Sequence, residues 1–263
     1  MTRSGFLTPS RFKDVMTVAR GYKSKDDLFA ELRTLADDQH KRKQKGSTNT
    51  KVYADGEQRM LELPNIIKTW SAASRFGDSA YTYAKEVALG RFGIVGEQIK
   101  AWSLDWGNRY EPEAREVFEA VTGLEFPKEN FRAVSEVYPF IAGEADGQIY
   151  GKDKPWGGEI KCPSNPVNHL DNFLEAKQHD LYKWQVAGYC APWMYGWDGY
   201  TFISYHPNFP GKGNIWFQDY ERDQAIELEL ETTLLLFENE VVRPLVAKLE
   251  NKFEINVEEK WRF

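Results

Sequence analysis

The feature that most restricts how this chain folds is a short run, Gly158-Glu159-Ile160-Lys161, set behind a turn-rich segment that begins at Gly147. Between them stand Gly151, Lys152, Asp153, Lys154, Pro155, Trp156 and Gly157. These are the residue types of a chain reversal, so the pattern predicts a hairpin that folds a second strand back beside Asp146. Successive strand side chains alternate between faces, which puts Glu159 and Lys161 on one face and turns Ile160 into the core. Two carboxylates and an ammonium can then converge on one divalent cation.

That set suits the hydrolysis of a phosphodiester, which is anionic and resists attack. Cleavage needs the phosphate charge neutralised, a water deprotonated near neutral pH and the leaving oxygen stabilised. Carboxylate sites holding Mg²⁺ or Mn²⁺ meet the first and third needs, often with a pair of ions. A lysine beside them orients or deprotonates the water. A solvated Glu/Lys pair on an ordinary exposed strand is the commoner source of such a tripeptide, so the neighbourhood has to decide.

Three further tracts do so. They are Glu144-Ala145-Asp146-Gly147; Lys161-Cys162-Pro163 followed by Tyr182-Lys183-Trp184-Gln185-Val186-Ala187-Gly188-Tyr189; and, upstream, Trp106-Gly107-Asn108-Arg109-Tyr110-Glu111-Pro112-Glu113-Ala114-Arg115. Together and in this order they resemble the PD-(D/E)XK nuclease superfamily. More narrowly, they resemble the lambda-type phage exonucleases and YqaJ-like viral recombinases, over most of the chain. Two departures stand out. Ala145 replaces the proline that precedes the first acid, and residues 22–72 form a longer stretch than their counterpart, read as a family-specific insertion.

The resemblance implies a restriction-endonuclease-like α/β fold, a central mixed sheet flanked by helices, in a single nuclease domain over 1–263. It implies a metal-dependent 5′-to-3′ exonuclease that degrades one strand of linear double-stranded DNA and leaves 3′ single-stranded tails for recombination. Asp146, Glu159, the Ile160 carbonyl and Glu111 are expected to hold two Mg²⁺, with Mn²⁺ the alternative ion. Lys161 is expected to position and activate the water, and Gln185 to hold the water or the scissile phosphate. By position, Arg3 falls where the family places an arginine facing the 5′-phosphate, with Ser10 of Thr8-Pro9-Ser10 as its companion. The implied assembly is a homotrimeric ring on duplex DNA ends, with a single-strand annealing protein as a further partner. A PD-(D/E)XK endonuclease, a non-catalytic DNA-end-binding protein and a small-substrate phosphoesterase remain open alternatives.

Composition bears on this only weakly. The 40 acidic residues outnumber the 34 Lys and Arg, yet a local groove and not the average surface meets phosphates. Cys162 and Cys190 fit neither a disulfide scaffold nor structural zinc. No stretch approaches the roughly 20 apolar residues of a membrane span, and Met1 to Arg11 lacks a long apolar core, so no signal peptide is expected. The expected location is the cytoplasm of a bacterial host, away from membranes.

Along the chain, Thr8-Pro9-Ser10 reads as a cap before a short helix carrying Phe12, Val15 and Met16. Helices are predicted over 25–37 (Leu28, Leu32, Leu35), over 75–88, and around Glu111 with Ala114, Val117, Phe118 and Val121 buried and Gly123 closing. Glu111 is read near the start of its helix, where capping is the competing role. The basic run from His40 to Lys51 is either a backbone-phosphate contact or a solvated loop. A loop is predicted at 162–166, a helix over 180–195 packing Leu181, Trp184, Val186 and Tyr189, strands at 199–205 and 215–219, and a long helix over 222–250. His206 is read as structural or exposed, not as a general base. The last residues, with Trp261 and Phe263, are predicted to dock.

Overall fold

In the computed structural model, residues 4–95, 102–128, 131–257 and 261 are described. They form two compact units, Met1–Met16 with Ser79–Phe263, and Thr17–Asp78. The first unit opens with Leu7 bridged in parallel to Ile141. A 3-10 turn, Pro9–Arg11, then runs into α1 (Phe12–Met16), whose Phe12, Val15 and Met16 are all buried. Thr8 precedes the turn without capping it: its backbone N–H donates to the Tyr83 hydroxyl at 2.7 Å, and its own hydroxyl lies 3.3 Å from the same group.

The smaller unit is a helical hairpin of α2 (Lys25–Gln44) and α3 (Lys51–Lys68). Ser24 and Asp27 form a reciprocal capping box. Leu28, Leu63 and Ile67 make its core, with Leu32, Leu35, Ile66 and Trp70 against them. Helix α2 runs seven residues beyond the predicted end at 37 because nothing in that stretch breaks it, and Lys41, Arg42 and Lys43 suit the negative end of the helix dipole. Most of the basic run is therefore helix and a short turn, not a loop. Helix α3, unforeseen in the sequence, contains Pro64 yet buries Leu63 and Ile67; tertiary packing outweighs the local penalty.

The larger unit continues with α4 (Asp78–Arg91) and α5 (Trp102–Thr122), which ends at Gly123 as predicted. Pro112 lies inside α5. Strands β1 (Phe131–Val134) and β2 (Ala142–Ala145) form an antiparallel pair. The main sheet is β3 (Gly147–Ile149), β4 (Trp156–Lys161), β5 (Gly199–Tyr205) and β6 (Ile215–Glu221), in that spatial order. β3 and β4 form the predicted hairpin, β4 and β5 are parallel, and β5 and β6 antiparallel. Parallel neighbours need a long crossover, supplied by α6 (Pro166–Glu175) and α7 (Lys177–Cys190).

α5 covers one face of the sheet: Ala114 and Phe118 pack with Phe126, Ile149, Trp156, Ile160 and Ile203. α7 covers the other, Val186, Tyr189 and Cys190 packing with Trp197, Tyr200 and Phe202. β5 is buried along its whole length, as a strand with helices on both faces must be. The expected mixed sheet flanked by helices is what forms.

Several local expectations shift. Pro166 starts α6 with Asn165 as its cap, because a proline that breaks a strand is well suited to a first helical position. α7 ends at Cys190, five residues early, since Pro192 follows. Val121, Leu181 and Leu228 are exposed, not packed. The long C-terminal helix is α8 (Gln224–Phe237), a π-helical turn at Glu238–Val242, and α9 (Arg243–Phe253). The turn carries Glu238, fully buried, whose two oxygens receive Arg91 Nη1 and Nη2 at 2.9 and 2.8 Å. Trp261 is buried edge-on against Phe6, while Phe263 lies outside the described residues.

Candidate active site

Asp146 stands at the bend where the chain leaves β2 for β3. Gly147 has φ +154, a region that side chains rarely adopt. Its register partner is Gly158, where a Cβ would come within 2.3 Å of the Phe126 ring. These two glycines let Phe126 close over the hairpin and bring Asp146 beside β4. Asp146 Oδ2 accepts the Ile160 backbone N–H at 2.7 Å. Its carbonyl accepts Arg115 Nη2 at 3.0 Å.

Glu159 is 1 % exposed. Its Oε1 accepts Lys161 Nζ at 2.5 Å and the Gln185 amide at 2.7 Å, whereas Oε2 has no hydrogen-bond partner among the described residues. Gln185 is thus a buried amide, not a surface one. Tyr189 lies 3.4 Å from it and donates to the Glu144 carbonyl at 2.8 Å. The Lys161 ammonium also rests 4.6 Å from the Tyr182 ring centre. Tyr182, Gln185 and Tyr189 recur at helical spacing along α7, which is why one helix face dresses this end of the sheet.

Burial raises the Asp146 carboxyl well above the usual range, and the Glu159 carboxylate adds to it. For Lys161, burial alone would favour the neutral amine, but Glu159 and Asp146 outweigh it and the net shift is upward. Lys161 therefore stands as an ammonium, a hydrogen-bond donor. Burial also pushes the Cys162 thiol up to about 12, with Glu111 and Asp146 reinforcing it, so this cysteine stays protonated near neutral pH.

Glu111 projects from α5, which is already helical at Trp102, so a helix-start cap does not explain it. Its Oε1 lies 3.2 Å from Arg115 Nη2. Arg115 is buried, stacks on Phe126 at 4.1 Å and donates to the Phe126 carbonyl at 2.9 Å. It thereby ties Glu111, the Asp146 bend and the Phe126 loop together, a role not assigned from the sequence although Ala114-Arg115 closes the upstream helix pattern. A cleft of about 460 Å³ opens over Glu111, Asp146, Ile160 and Lys161, walled by Asn108, Asn165, Asn168, Tyr182 and Ser204 among others. Ser10 is exposed and does not line that cleft; Arg3 lies outside the described residues. His206 is buried among Trp106, His169 and Phe209.

Among the described residues, no three His, Cys, Asp or Glu side chains stand arranged as a ready metal site, because Glu111 is turned onto Arg115 and Glu159 Oε1 onto Lys161 and Gln185. The donors nevertheless suit a hard cation. They are all oxygen, Asp146 and Glu159 repel one another, and Glu159 Oε2 is a buried acceptor that none of the described residues satisfies.

A mixed sheet with helices on both faces and an acid, acid, lysine cluster at the strand ends defines the PD-(D/E)XK class of fold. Within it, the YqaJ-like viral recombinase domain matches residues 1–191, and the chain belongs to that family. The fold is similar to an alkaline exonuclease from Laribacter hongkongensis, at 20% identity, 96% of this chain, 95% of that one and a TM-score of 0.63. The same enzyme in complex with dAMP gives a TM-score of 0.64 at 20% identity and the same coverage. A phage-related exonuclease from Haemophilus somnus gives 0.55 at 19% identity, over 68% of this chain and 89% of that one. No curated protein sequence matches the chain.

Proposed function

We propose that this chain is a metal-dependent exonuclease that degrades one strand of linear duplex DNA from the 5′ end, leaving 3′ single-stranded tails for recombination. The observation that carries the reading is that Asp146 and Lys161 line one cleft with the buried Glu159 held against Lys161, in a chain of the viral recombinase family. Asp146, Glu159, the Ile160 carbonyl and Glu111 would hold two Mg²⁺, or Mn²⁺, which supply charge neutralisation of the phosphate and stabilisation of the departing 3′ oxygen. Lys161 Nζ donates to the attacking water or a phosphate oxygen and fixes its direction. Gln185 holds Glu159 Oε1 in place, and Arg115 holds the Asp146 bend and Glu111. Arg3 and Ser10 are assigned to the terminal 5′-phosphate, and the cations Lys41, Arg42 and Lys45, which line a small cavity with Ser47, to the DNA backbone. A homotrimer on DNA ends, a single-strand annealing partner and a cytoplasmic site of action complete the reading. Among the described residues no helix is long and apolar enough to cross a membrane.

The test is to incubate linear and closed circular duplexes with Mg²⁺, with and without EDTA. Loss of the linear DNA alone is expected, faster from 5′-phosphorylated ends and abolished by EDTA, Asp146→Ala or Lys161→Ala. Cutting of the circle would make the protein an endonuclease; activity surviving in Asp146→Ala would discard the site.

A further inference from the structure

The Lys161 ammonium has two neighbours of different kinds. Glu159 Oε1 accepts one of its protons, and the face of the Tyr182 ring lies 4.6 Å from Nζ. A carboxylate beside a buried cation needs no special account. The ring does, because it brings no charge and stands in the open: Tyr182 is only partly buried and lines the cleft together with Asp146 and Lys161.

The ring is braced from behind. On β5, Phe202 is the register partner of Glu159, so its side chain emerges on the same face of the sheet as Glu159 and Lys161. Phe202 is fully buried, and Tyr182 stacks against it with 5.8 Å between ring centres and 28° between planes. Tyr182 sits on α7 about one turn before Gln185, whose amide donates to Glu159 Oε1. One helix face therefore supports both members of the ion pair, the acid through Gln185 and the lysine through Tyr182.

An aromatic face suits this place. Its quadrupole attracts an ammonium, yet it carries no net charge and does not compete with the carboxylates for a divalent cation. Its hold on Lys161 also persists when the charge of Glu159 is shared with such a cation. Lysine ends a flexible four-carbon stem, and without the ring an ammonium facing a like charge is free to swing into solvent. We propose that Tyr182 is a positioning residue whose ring face, braced by Phe202, fixes the Lys161 ammonium in the cleft, a role that rests on the hydrolytic reading above. The ring does this, and the phenolic hydroxyl does not.

The test separates ring electrons from shape. Tyr182→Phe keeps the ring face, Tyr182→Leu removes it, and pentafluorophenylalanine placed at position 182 by nonsense suppression keeps the outline of Phe while reversing the quadrupole. Turnover of linear duplex DNA, melting temperature and Mn²⁺ binding by calorimetry are measured on each protein. In the metal-free protein the Lys161 ε-methylene protons, assigned by comparison with Lys161→Arg, are followed by NMR, since protons over a ring face resonate upfield. Tyr182→Phe is expected to keep kcat within about threefold and to keep the upfield resonance. The fluorinated and Leu proteins are expected to lose about tenfold in kcat, with KM and Mn²⁺ affinity held, and the Leu protein to lose the upfield shift. A folded fluorinated protein that turns over as fast as Tyr182→Phe overturns the proposal. So does an ordinary ε-methylene resonance in the parent, a readout that stands whether or not every variant folds. A tenfold loss in Tyr182→Phe would give the work to the hydroxyl and overturn it as well. An inactive parent protein would instead overturn the nuclease reading, and this role with it.

Discussion

Replacing Asp146 with asparagine is expected to stabilise the protein in EDTA while destroying its response to Mg²⁺. In the metal-free fold Asp146 is raised from 3.8 to about 8 by burial and by Glu159. Between those values the native carboxyl keeps a proton that the unfolded chain has released, so folding stability falls as pH rises, by about 1.4 kcal/mol per pH unit for a full proton. From 3.8 to about 7 that amounts to about 4 kcal/mol as an upper bound; partial solvent contact reduces it to about 2 kcal/mol. The Asp146→Asn side chain retains an acceptor for the Ile160 N–H and removes the like-charge contact, so the variant recovers that amount at about pH 7 to 8. For a chain of this size the gain is about 4–8 °C in Tm. Thermal unfolding in EDTA from about pH 5 to 8 should show the parent declining and the variant flat, and added Mg²⁺ should raise only the parent. A variant less stable than the parent in EDTA at the alkaline end, or a parent whose stability climbs over that range, would refute the account of the site as two carboxylates held too close for comfort.

Gly158→Ala should cost about 1–3 kcal/mol in urea unfolding, because its methyl would meet the Phe126 ring at 2.3 Å, and it should depress nuclease turnover by displacing Asp146. Glu238→Ala should cost about 3–5 kcal/mol, since it strands the Arg91 guanidinium, 2 % exposed, without its bidentate partner; a loss below about 1 kcal/mol would mean that water reaches the pair.

The sheet and its hairpin were legible because their signals are local. Gly147 through Gly158 carries turn chemistry, and 199–205 is an unbroken β-branched and aromatic run. The closeness of Asp146, Glu159 and Lys161 followed from strand alternation and the hairpin between them. What escaped reading depends on contacts between distant segments. Pro64 inside α3 is tolerated only because Leu63 and Ile67 meet Leu28. Pro166 looked like a break until Asn165 capped it. Arg115 had no local sign of its work, since its partners at 126 and 146 are brought to it by the fold.

Pro112 has a mechanical consequence. Lacking an N–H, it cannot bond the Asn108 carbonyl one turn back, so α5 is weakest between its two halves. The half from Ala114 onward is riveted to the sheet through Ala114 and Phe118, whereas Ser103, Leu104 and Asn108 are exposed along the cleft rim. The missing hydrogen bond thus falls just past Glu111, so a bend at this point would carry Glu111 with the rim while Asp146 and Glu159 keep their places beside β4.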